Sequence, residues 1–334
     1  MSPHLPTIAL SPQRYLNMTA GVRRFDTFLA DQVTFGLAAL EADPQAALEP
    51  VAARLTDDQL PSAAAAVRQW IPRIGRDADW VTRTGQDIGY WHLLNQMWLQ
   101  PERLDAEAFA GLAFAYGYRL QRAKLPELGR EVPDYWTCVG MEEGNDQQLF
   151  YRRTHWRGTQ PEHALVQNTY NYGSPLPASQ IVIGSHGRIA MLAYPGSLPS
   201  RGVLPEGASL KEAHVPADGQ HPSYLPTWRA QAEAQSLLLR RQPARRSFPV
   251  AVGPLRADVS YDAQGAYRLL LRDSEDQVVA LPLRGATSKD DPTVATHAAL
   301  LATVGQQAFV LFGVSSRGTL RVLSVSVDGA VRAV

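Results

Sequence analysis

The stretch that decides the fold is DYWTCVGMEEGNDQQLFYRRTHWRGTQPEHALVQNTYNYGSPLPASQIVIGSHGRIAMLAYPGSLPSRGV, residues 134–203. Short apolar-polar alternations in it are interrupted by Gly, Pro, Asn and Asp at close intervals, a pattern typical of a small antiparallel sheet. We therefore predict an antiparallel β domain over residues 133–204. Its strands are expected near residues 135–141, 147–156, 164–169, 180–183 and 189–194.

The chain before this stretch has helical spacing of its apolar residues. Ile88, Trp91, Leu94 and Trp98 follow one another at steps of three and four residues, which predicts one buried helix face. Similar patterns predict a helical domain over residues 22–132. Pro3, Pro6 and Pro12 disfavour helix, so residues 1–21 are predicted to be an extended lead-in.

The chain after this stretch returns to β-structure. Residues 205–246 are predicted to form a polar connector and a helix that starts near Pro226 and reaches residue 241. A C-terminal β-rich domain is predicted over residues 247–334, with a short helix over 296–304 and strands over 267–272, 278–283, 308–314 and 320–327. The predicted fold class is α+β: an N-terminal helical bundle, a central antiparallel β-sheet and a small C-terminal strand-rich domain.

Composition excludes several classes of protein. Lys plus Arg and Asp plus Glu both number 32 among 334 residues, so no overall positive field draws the chain to nucleic acid or to a membrane. No apolar run reaches the roughly 18 residues that span a bilayer. The N-terminus has no signal-peptide pattern. We expect a cytoplasmic protein without a membrane partner.

Sequence motifs for catalysis are missing. The chain contains no GxxxxGK[ST] phosphate loop, no GxGxxG after a strand, no HExxH and no GxSxG. Cys138 is the single cysteine, which leaves no disulfide within the chain and no cysteine-based zinc site. We therefore predict no catalytic residue, no metal, no cofactor and no enzymatic activity.

Histidines offer one alternative to that prediction. His155 and His163 could meet across a hairpin and bind a metal with an acidic partner, but their spacing matches no known ligand pattern. An enzyme of unfamiliar type with His155, His163 or His186 in its site therefore remains an alternative, beside three separate hydrogen-bonded histidines.

Arginines offer a second alternative, a nucleic-acid interface. Arg152, Arg153 and Arg157 surround Trp156 on one predicted strand, where arginine and aromatic side chains could contact phosphates and bases. Alternation divides them, however, because Arg153 and Arg157 face one way and Arg152 the other. An exposed strand with one polar face explains the same pattern.

The densest basic cluster lies near the predicted helix end. It could hold phosphate or an acidic partner surface, and its first two members could equally complement a helix C-terminus. The cluster consists of Arg240, Arg241, Arg245 and Arg246.

Several segments together resemble the region downstream of the zinc finger in bacterial SWIM zinc finger family proteins. They are LEPVAARLTDDQLPSAAAAVRQW (48–70), DYWTCVG with LFYRRTHWRG (134–158), HALVQNTYN (163–171), IAMLAYPGSLPSRGVL (189–204) and QAFVLFGVSSRGTLRVLSVSVDGAV (307–331). The resemblance extends over most of residues 22–334. The CxC…CxH zinc motif that names the family is absent from this sequence, so no zinc ligand is transferred.

The resemblance implies a function without catalysis. Family members are typically encoded beside a MoxR-type AAA+ ATPase and a von Willebrand A domain protein. The chain is thus expected to be an adaptor, scaffold or substrate-recruiting component that binds these two protein partners.

Overall fold

The computed structural model describes residues 4–146, 148–196, 200–212, 220–261, 267–282, 292–316 and 319–334. Internal packing divides the chain into a helical unit and a β unit. The helical unit comprises Met1–Gly129, Pro195–Ser197 and Arg241–Arg245, and the β unit comprises Arg130–Tyr194, Leu198–Arg240 and Arg246–Val334. Parts of several predictions lie outside the described residues: positions 1–3 of the lead-in, position 147 of one strand, position 283 of another, positions 213–219 of the connector, and positions 197–199, 262–266, 284–291 and 317–318 of the two β domains.

The helical unit contains the predicted run of helices. Among the described residues, no helix has both the length and the apolar character needed to cross a bilayer. The α-helices are α1 (Pro12–Phe35), α2 (Ala38–Ala42), α3 (Pro44–Asp57), α4 (Pro61–Trp70), α5 (Trp80–Leu99), α6 (Ala106–Ala115) and α7 (Leu125–Leu128).

The prediction of an extended lead-in over residues 1–21 was wrong. A 3-10 turn occupies Leu5–Ile8, and α1 begins at Pro12. Proline is tolerated in the first helical turn, where its missing N–H would have no intrahelical partner. The Ser11 side chain accepts a hydrogen bond from the backbone N–H of Arg14 at 3.3 Å, so the serine caps the helix that the proline opens.

Aromatic side chains fill the core of the helical unit. Trp98 of α5 is fully buried and stacks on Phe109 of α6, with ring centroids 5.6 Å apart. Its indole N–H donates to Thr19 Oγ1 of α1 at 2.9 Å. The predicted aromatic stripe of residues 88–98 therefore joins three helices, as dense ring packing in a helix bundle requires.

The first half of the β unit is a closed five-stranded barrel with the strand order β1-β2-β3-β5-β4. All pairs are antiparallel except β3 with β5, which are parallel. Trp136 and Trp156 are buried at its centre. Its strands are β1 (Arg130–Asp146), β2 (Leu149–Arg157), β3 (Ala164–Tyr172), β4 (His186–Ala193) and β5 (Ser200–Val203).

The predicted strand over residues 180–183 was wrong. Ile181 N–H donates to Ser179 Oγ, and Val182 N–H donates to Ser185 Oγ, both at 3.0 Å. Serine side chains thus satisfy backbone amides that a strand would pair in a ladder. Ile181 and Ile183 instead pack against the two cores beside this segment, and Val182 between them is exposed.

The second half of the β unit is a six-stranded antiparallel sheet with the order β11-β10-β9-β6-β7-β8. Two helices accompany it, α8 (Trp228–Arg241) and α9 (Pro292–Val304). The strands are β6 (Ser247–Tyr261), β7 (Tyr267–Arg272), β8 (Val278–Pro282), β9 (Phe309–Ser316), β10 (Thr319–Val327) and β11 (Ala330–Ala333). The predicted α+β class is confirmed.

The barrel and the six-stranded sheet pack together within the β unit. Val139 of β1 is buried in a cluster with Ala251 and Phe312 of the sheet. Ser324 Oγ of β10 donates a 2.5 Å hydrogen bond to the carbonyl oxygen of Val139. These contacts fix the outer side of the long strand β1 against the sheet.

Candidate interaction surfaces

A cleft of about 510 Å³ lies between α1 and α3 of the helical unit. Its apolar lining comes from phenylalanine, valine, leucine and proline side chains, and two arginines and two aspartates stand among them. The lining residues are Arg24, Phe25, Thr27, Phe28, Asp31, Pro50, Val51, Arg54, Leu55 and Asp58.

At one side of this cleft, α1 packs closely against the end of α3 at Gly21. A Cβ at Gly21 would lie 2.5 Å from Cβ of Asp58, so only glycine lets α1 come this near to the end of α3. One turn further along α1, Arg24 binds the Asp58 carboxylate through two nitrogens. The Asp58 side chain is only 14% exposed, and this pair is therefore a fixed part of the cleft wall.

A further phenylalanine, Phe35, lies at the end of α1, beyond the cleft lining, and Asp31 and Gln32 separate it from Phe28 on that side of the helix. Phe28 and Phe35 are seven residues apart and therefore lie on the same side of the helix. Phe28 is half-buried in the cleft, whereas Phe35 is 81% exposed. An exposed phenylalanine next to an apolar cleft is typical of a surface that binds another protein.

The three arginines of β2 alternate as the sequence predicts, but they do not form a surface patch. Arg152 and Arg157 are 8% and 5% exposed. The Arg152 guanidinium binds Glu143 and the carbonyl oxygen of Pro177, and Arg157 Nε donates to the carbonyl oxygen of Ser223 at 3.0 Å. Both side chains are therefore used inside the β unit.

Burial also affects the acidity of Arg157. Removal of the guanidinium from water lowers its pKa from 12.5 to about 10, which still leaves it charged at neutral pH. The exposed-strand alternative is thus wrong for Arg152 and Arg157. Arg153 alone is exposed, with its guanidinium 4.8 Å from the centroid of the Tyr151 ring.

The second arginine cluster has two different environments. Arg240 and Arg241 end α8 and are exposed, where cations complement the C-terminus of a helix. Arg245 and Arg246 follow the helix and are half-buried. A patch of four equally exposed cations is therefore not present.

His155 lies on the outer face of the barrel, beside a charged network. Its Nε2 is 3.0 Å from Oε2 of Glu142, and the other carboxylate oxygen of Glu142 binds Arg321 of β10. Burial alone would raise the pKa of Glu142, but the hydrogen bond with His155 and the charges of Arg321 and Arg153 lower it overall. Glu142 is thus held as a carboxylate.

His163 belongs to a separate network around Asp134. Its Nδ1 is 2.7 Å from Oδ2 of Asp134, and its ring stacks on Trp136. Asp134 also accepts hydrogen bonds from the hydroxyl and N–H of Thr159. The arrangement ties the loop after β2 to β1.

His186 completes the set of sequence candidates. It is fully buried, and its Nδ1 lies 2.9 Å from the carbonyl oxygen of Gly184. His155 and His163 each pair with a different carboxylate. Within the described ranges, no group of three or more His, Cys, Asp or Glu side chains could hold a metal ion.

Sequence reasoning missed the residues that form the exposed surfaces. Phe28 belongs to the predicted apolar stripe of the first helix, and periodicity does not reveal that the neighbouring helix leaves it half-covered. Tyr170 and Tyr172 are 51% and 74% exposed on β3. Their signal was present, because two tyrosines two residues apart on a strand share one face.

Comparison with known proteins concerns the helical unit. Residues 13–113 match the SWIM-associated four-helix bundle domain family. A search of curated proteins found no match to this chain. The segment 48–70 that carries part of the SWIM resemblance lies inside the matched residues, and the segments from the β unit lie outside them. Over α1–α6, the chain is therefore similar to a SWIM-associated helical bundle.

Proposed function

We propose that this chain is a non-enzymatic adaptor or substrate-recruiting component that works with a MoxR-type AAA+ ATPase and a von Willebrand A protein. The observation that carries the proposal is the match of residues 13–113 to the SWIM-associated four-helix bundle domain. The two partners come from the sequence resemblance to proteins encoded beside such a pair.

The cleft between α1 and α3 is the proposed docking site, and both of its walls lie within the matched residues. Aromatic and arginine side chains are enriched at protein interfaces, where they fill pockets on the partner. The cleft combines Phe25 and Phe28 with Arg24 and Arg54. This composition supports a protein segment as the occupant.

Charge supports the same kind of occupant. Arg24 and Asp58 neutralise each other across the cleft, which leaves the exposed Asp31 on α1 and the exposed Arg54 on α3 as its remaining charges. A partner segment with an apolar side chain between an acidic and a basic residue would complement it.

The test uses the full chain with a MoxR-type AAA+ ATPase and a von Willebrand A protein from the same genome. Isothermal titration calorimetry should detect binding to the ATPase or to the von Willebrand A protein. The variants Phe28→Ala and Arg54→Glu, both in the cleft lining, should weaken that binding at least about tenfold, the loss of a moderate interface contact. Leu16→Asp, at a 56% exposed position of α1 that does not line the cleft, should retain it.

Two results would contradict the proposal. The first is the absence of binding to either protein by the unmodified chain. The second is equal binding by the unmodified chain, Phe28→Ala and Arg54→Glu, which would exclude the cleft as the docking site. Circular dichroism of each variant verifies that the helical unit is folded.

A further inference from the structure

The outer face of β2 and β3 presents a row of tyrosines. Tyr151 of β2 is directly opposite Tyr170 of β3, and Tyr172 is opposite Leu149. Trp156 and Leu165 point into the barrel core, so the alternate positions on the same two strands point outwards. Tyr172 and Tyr170 are 74% and 51% exposed, and their Cα atoms are about 6.7 Å apart along the strand.

Tyr151 supports an arginine beside these rings. Gly144 of β1 pairs with Tyr151, and a Cβ at Gly144 would lie 2.6 Å from the Tyr151 hydroxyl oxygen. The glycine therefore lets the Tyr151 ring lie against β1. The exposed Arg153 guanidinium is 4.8 Å from the centroid of that ring, a cation–π contact that orients the charge on the outer face.

Positive charge exceeds negative charge immediately around Glu142, and the exposed Asp146, opposite Leu149, adds a second carboxylate further along the same face. Arg153 pairs with Glu142 across the strands, and Arg321 and His155 contact the same carboxylate. The Arg321 side chain is 56% exposed, whereas Glu142 is only 11% exposed. Two arginines and a histidine therefore surround one covered carboxylate, although the whole chain is neutral.

This outer face of β2 and β3 corresponds to the face that binds ligands in other five-stranded barrels of the same topology. A closed five-stranded barrel with the order β1-β2-β3-β5-β4 and a parallel β3–β5 pair has the topology of the OB-fold. OB-folds bind oligonucleotides and oligosaccharides on the face formed by strands 2 and 3. Topology alone does not assign a ligand, but here the exposed tyrosines and the arginines around Glu142 lie on that same face.

We propose that the outer face of β2 and β3 binds single-stranded nucleic acid, with bases stacked on Tyr170 and Tyr172 and phosphates near Arg153 and Arg321. Aromatic side chains stack on every base, and arginines contact the backbone, so such a surface binds single strands without strong sequence preference. The inference is independent of the proposed adaptor function, because it rests only on residues of the β unit.

Other ligands fit the surface less well. The bases of a duplex are stacked on one another, so their faces cannot reach the tyrosines, and only the phosphates remain for binding. A neutral oligosaccharide could stack on the rings but would offer no anionic group to Arg153 and Arg321. Single strands satisfy both features together.

The test is fluorescence anisotropy of the full chain with a fluorescein-labelled oligothymidylate of about 12 nucleotides, within the usual site size of one OB-fold. The double variant Tyr170→Ala/Tyr172→Ala should weaken binding at least about tenfold, since stacking contributes substantially per base. Tyr261→Ala changes a 68% exposed tyrosine on β6 and should bind like the unmodified chain.

The salt dependence tests the arginines. Two phosphate contacts predict that log K falls against log[salt] with a slope of about −1.4, and Arg153→Gln should reduce the slope by about 0.7. Arg256→Gln, at an exposed arginine of β6, is the control. All four variants lie at exposed side chains, and thermal unfolding verifies that they remain folded.

Three outcomes would overturn the inference: no binding by the unmodified chain, undiminished binding by the tyrosine double variant, or equal competition by duplex DNA or heparin. The last outcome would assign the surface to charge alone. If a neutral oligosaccharide competes at equal concentration, the surface binds a glycan and not nucleic acid.

Discussion

The Asp134 carboxylate and the His163 imidazole lie 2.7 Å apart, although 29 residues separate them in the chain. Asp134 also accepts hydrogen bonds from Thr159 and from the backbone N–H of Tyr135, so one side chain joins the start of the barrel to the loop after β2. Its side chain is 7% exposed. A buried carboxylate with this many donors is a structural anchor of the barrel.

Replacement of this anchor should destabilise the β unit. Asp134→Asn places an NH₂ group where the carboxylate accepts hydrogen bonds, and buried donors are left without a partner. We expect the free energy of unfolding to fall by about 2–4 kcal/mol, measured by urea denaturation at neutral pH. Asp258→Asn, at a 56% exposed carboxylate on β6, should change it by less than about 0.5 kcal/mol. Equal effects of the two variants would contradict the anchor role.

Acid should weaken the β unit through the same group. Burial opposes the charge of Asp134, but hydrogen bonds from Thr159, His163 and two backbone N–H groups hold its pKa below the usual 3.8. The pKa of Glu142 is likewise below its usual 4.5. A carboxyl group whose pKa is lower in the folded than in the unfolded protein stabilises the fold at pH values above its unfolded-state pKa. This contribution is lost as the pH falls through the folded-state pKa.

The measurement is the urea midpoint of unfolding as a function of pH. Asp134 and Glu142 stay ionised from about pH 7 to pH 5, so they should leave the urea midpoint nearly constant over that range. Below about pH 4.5 the midpoint should decrease. In Asp134→Asn the decrease should be smaller, because one of the two groups no longer titrates. If the unmodified chain and Asp134→Asn lose stability equally in acid, other carboxylates are responsible for that loss.

Much of the fold could be predicted from local pattern. Alternation in β2 separates Arg152 from Arg153 correctly, because a strand turns successive side chains to opposite faces. Trp156, two and four residues from Thr154 and Arg152, faces the barrel core with them by the same alternation. These features depend only on neighbouring residues, so the sequence contains them in full.

Other features depend on contacts between distant residues and could not be predicted. The parallel pairing of β3 with β5 closes the barrel, and no local pattern encodes it. Strand β6 was missed because Pro249 and Pro254 interrupt its alternation, and proline is normally excluded from central strands. The cleft beside Phe28 likewise depends on how closely α1 and α3 approach.

The single thiol should be unreactive in the folded protein. Cys138 is fully buried in the barrel core, and burial raises its pKa to about 12. Only the thiolate attacks disulfide reagents, so both access and ionisation are blocked. Labelling by Ellman's reagent should therefore be slow in native buffer and rapid in guanidinium. Rapid labelling of the native protein would show that the barrel opens at Cys138 far more often than this packing implies.

Gly21 provides the sharpest test of the cleft geometry. In Gly21→Ala the new Cβ would lie 2.5 Å from Cβ of Asp58 and 2.9 Å from Cδ1 of Leu60, so α1 has to move away from the end of α3. We expect the free energy of unfolding to fall by about 1–3 kcal/mol, as for other overpacked sites. The shift should also loosen the Arg24–Asp58 pair and weaken partner binding at the cleft.

The control for this substitution is a glycine in open space. Gly85 of α5 has nothing within 4 Å of a built Cβ, and alanine is favoured over glycine inside a helix. Gly85→Ala should therefore raise the free energy of unfolding by about 0.5–1 kcal/mol. Thermal or urea unfolding distinguishes the opposite signs. A stabilising Gly21→Ala would mean that α1 and the end of α3 are not in close contact, and that the cleft is wider than described.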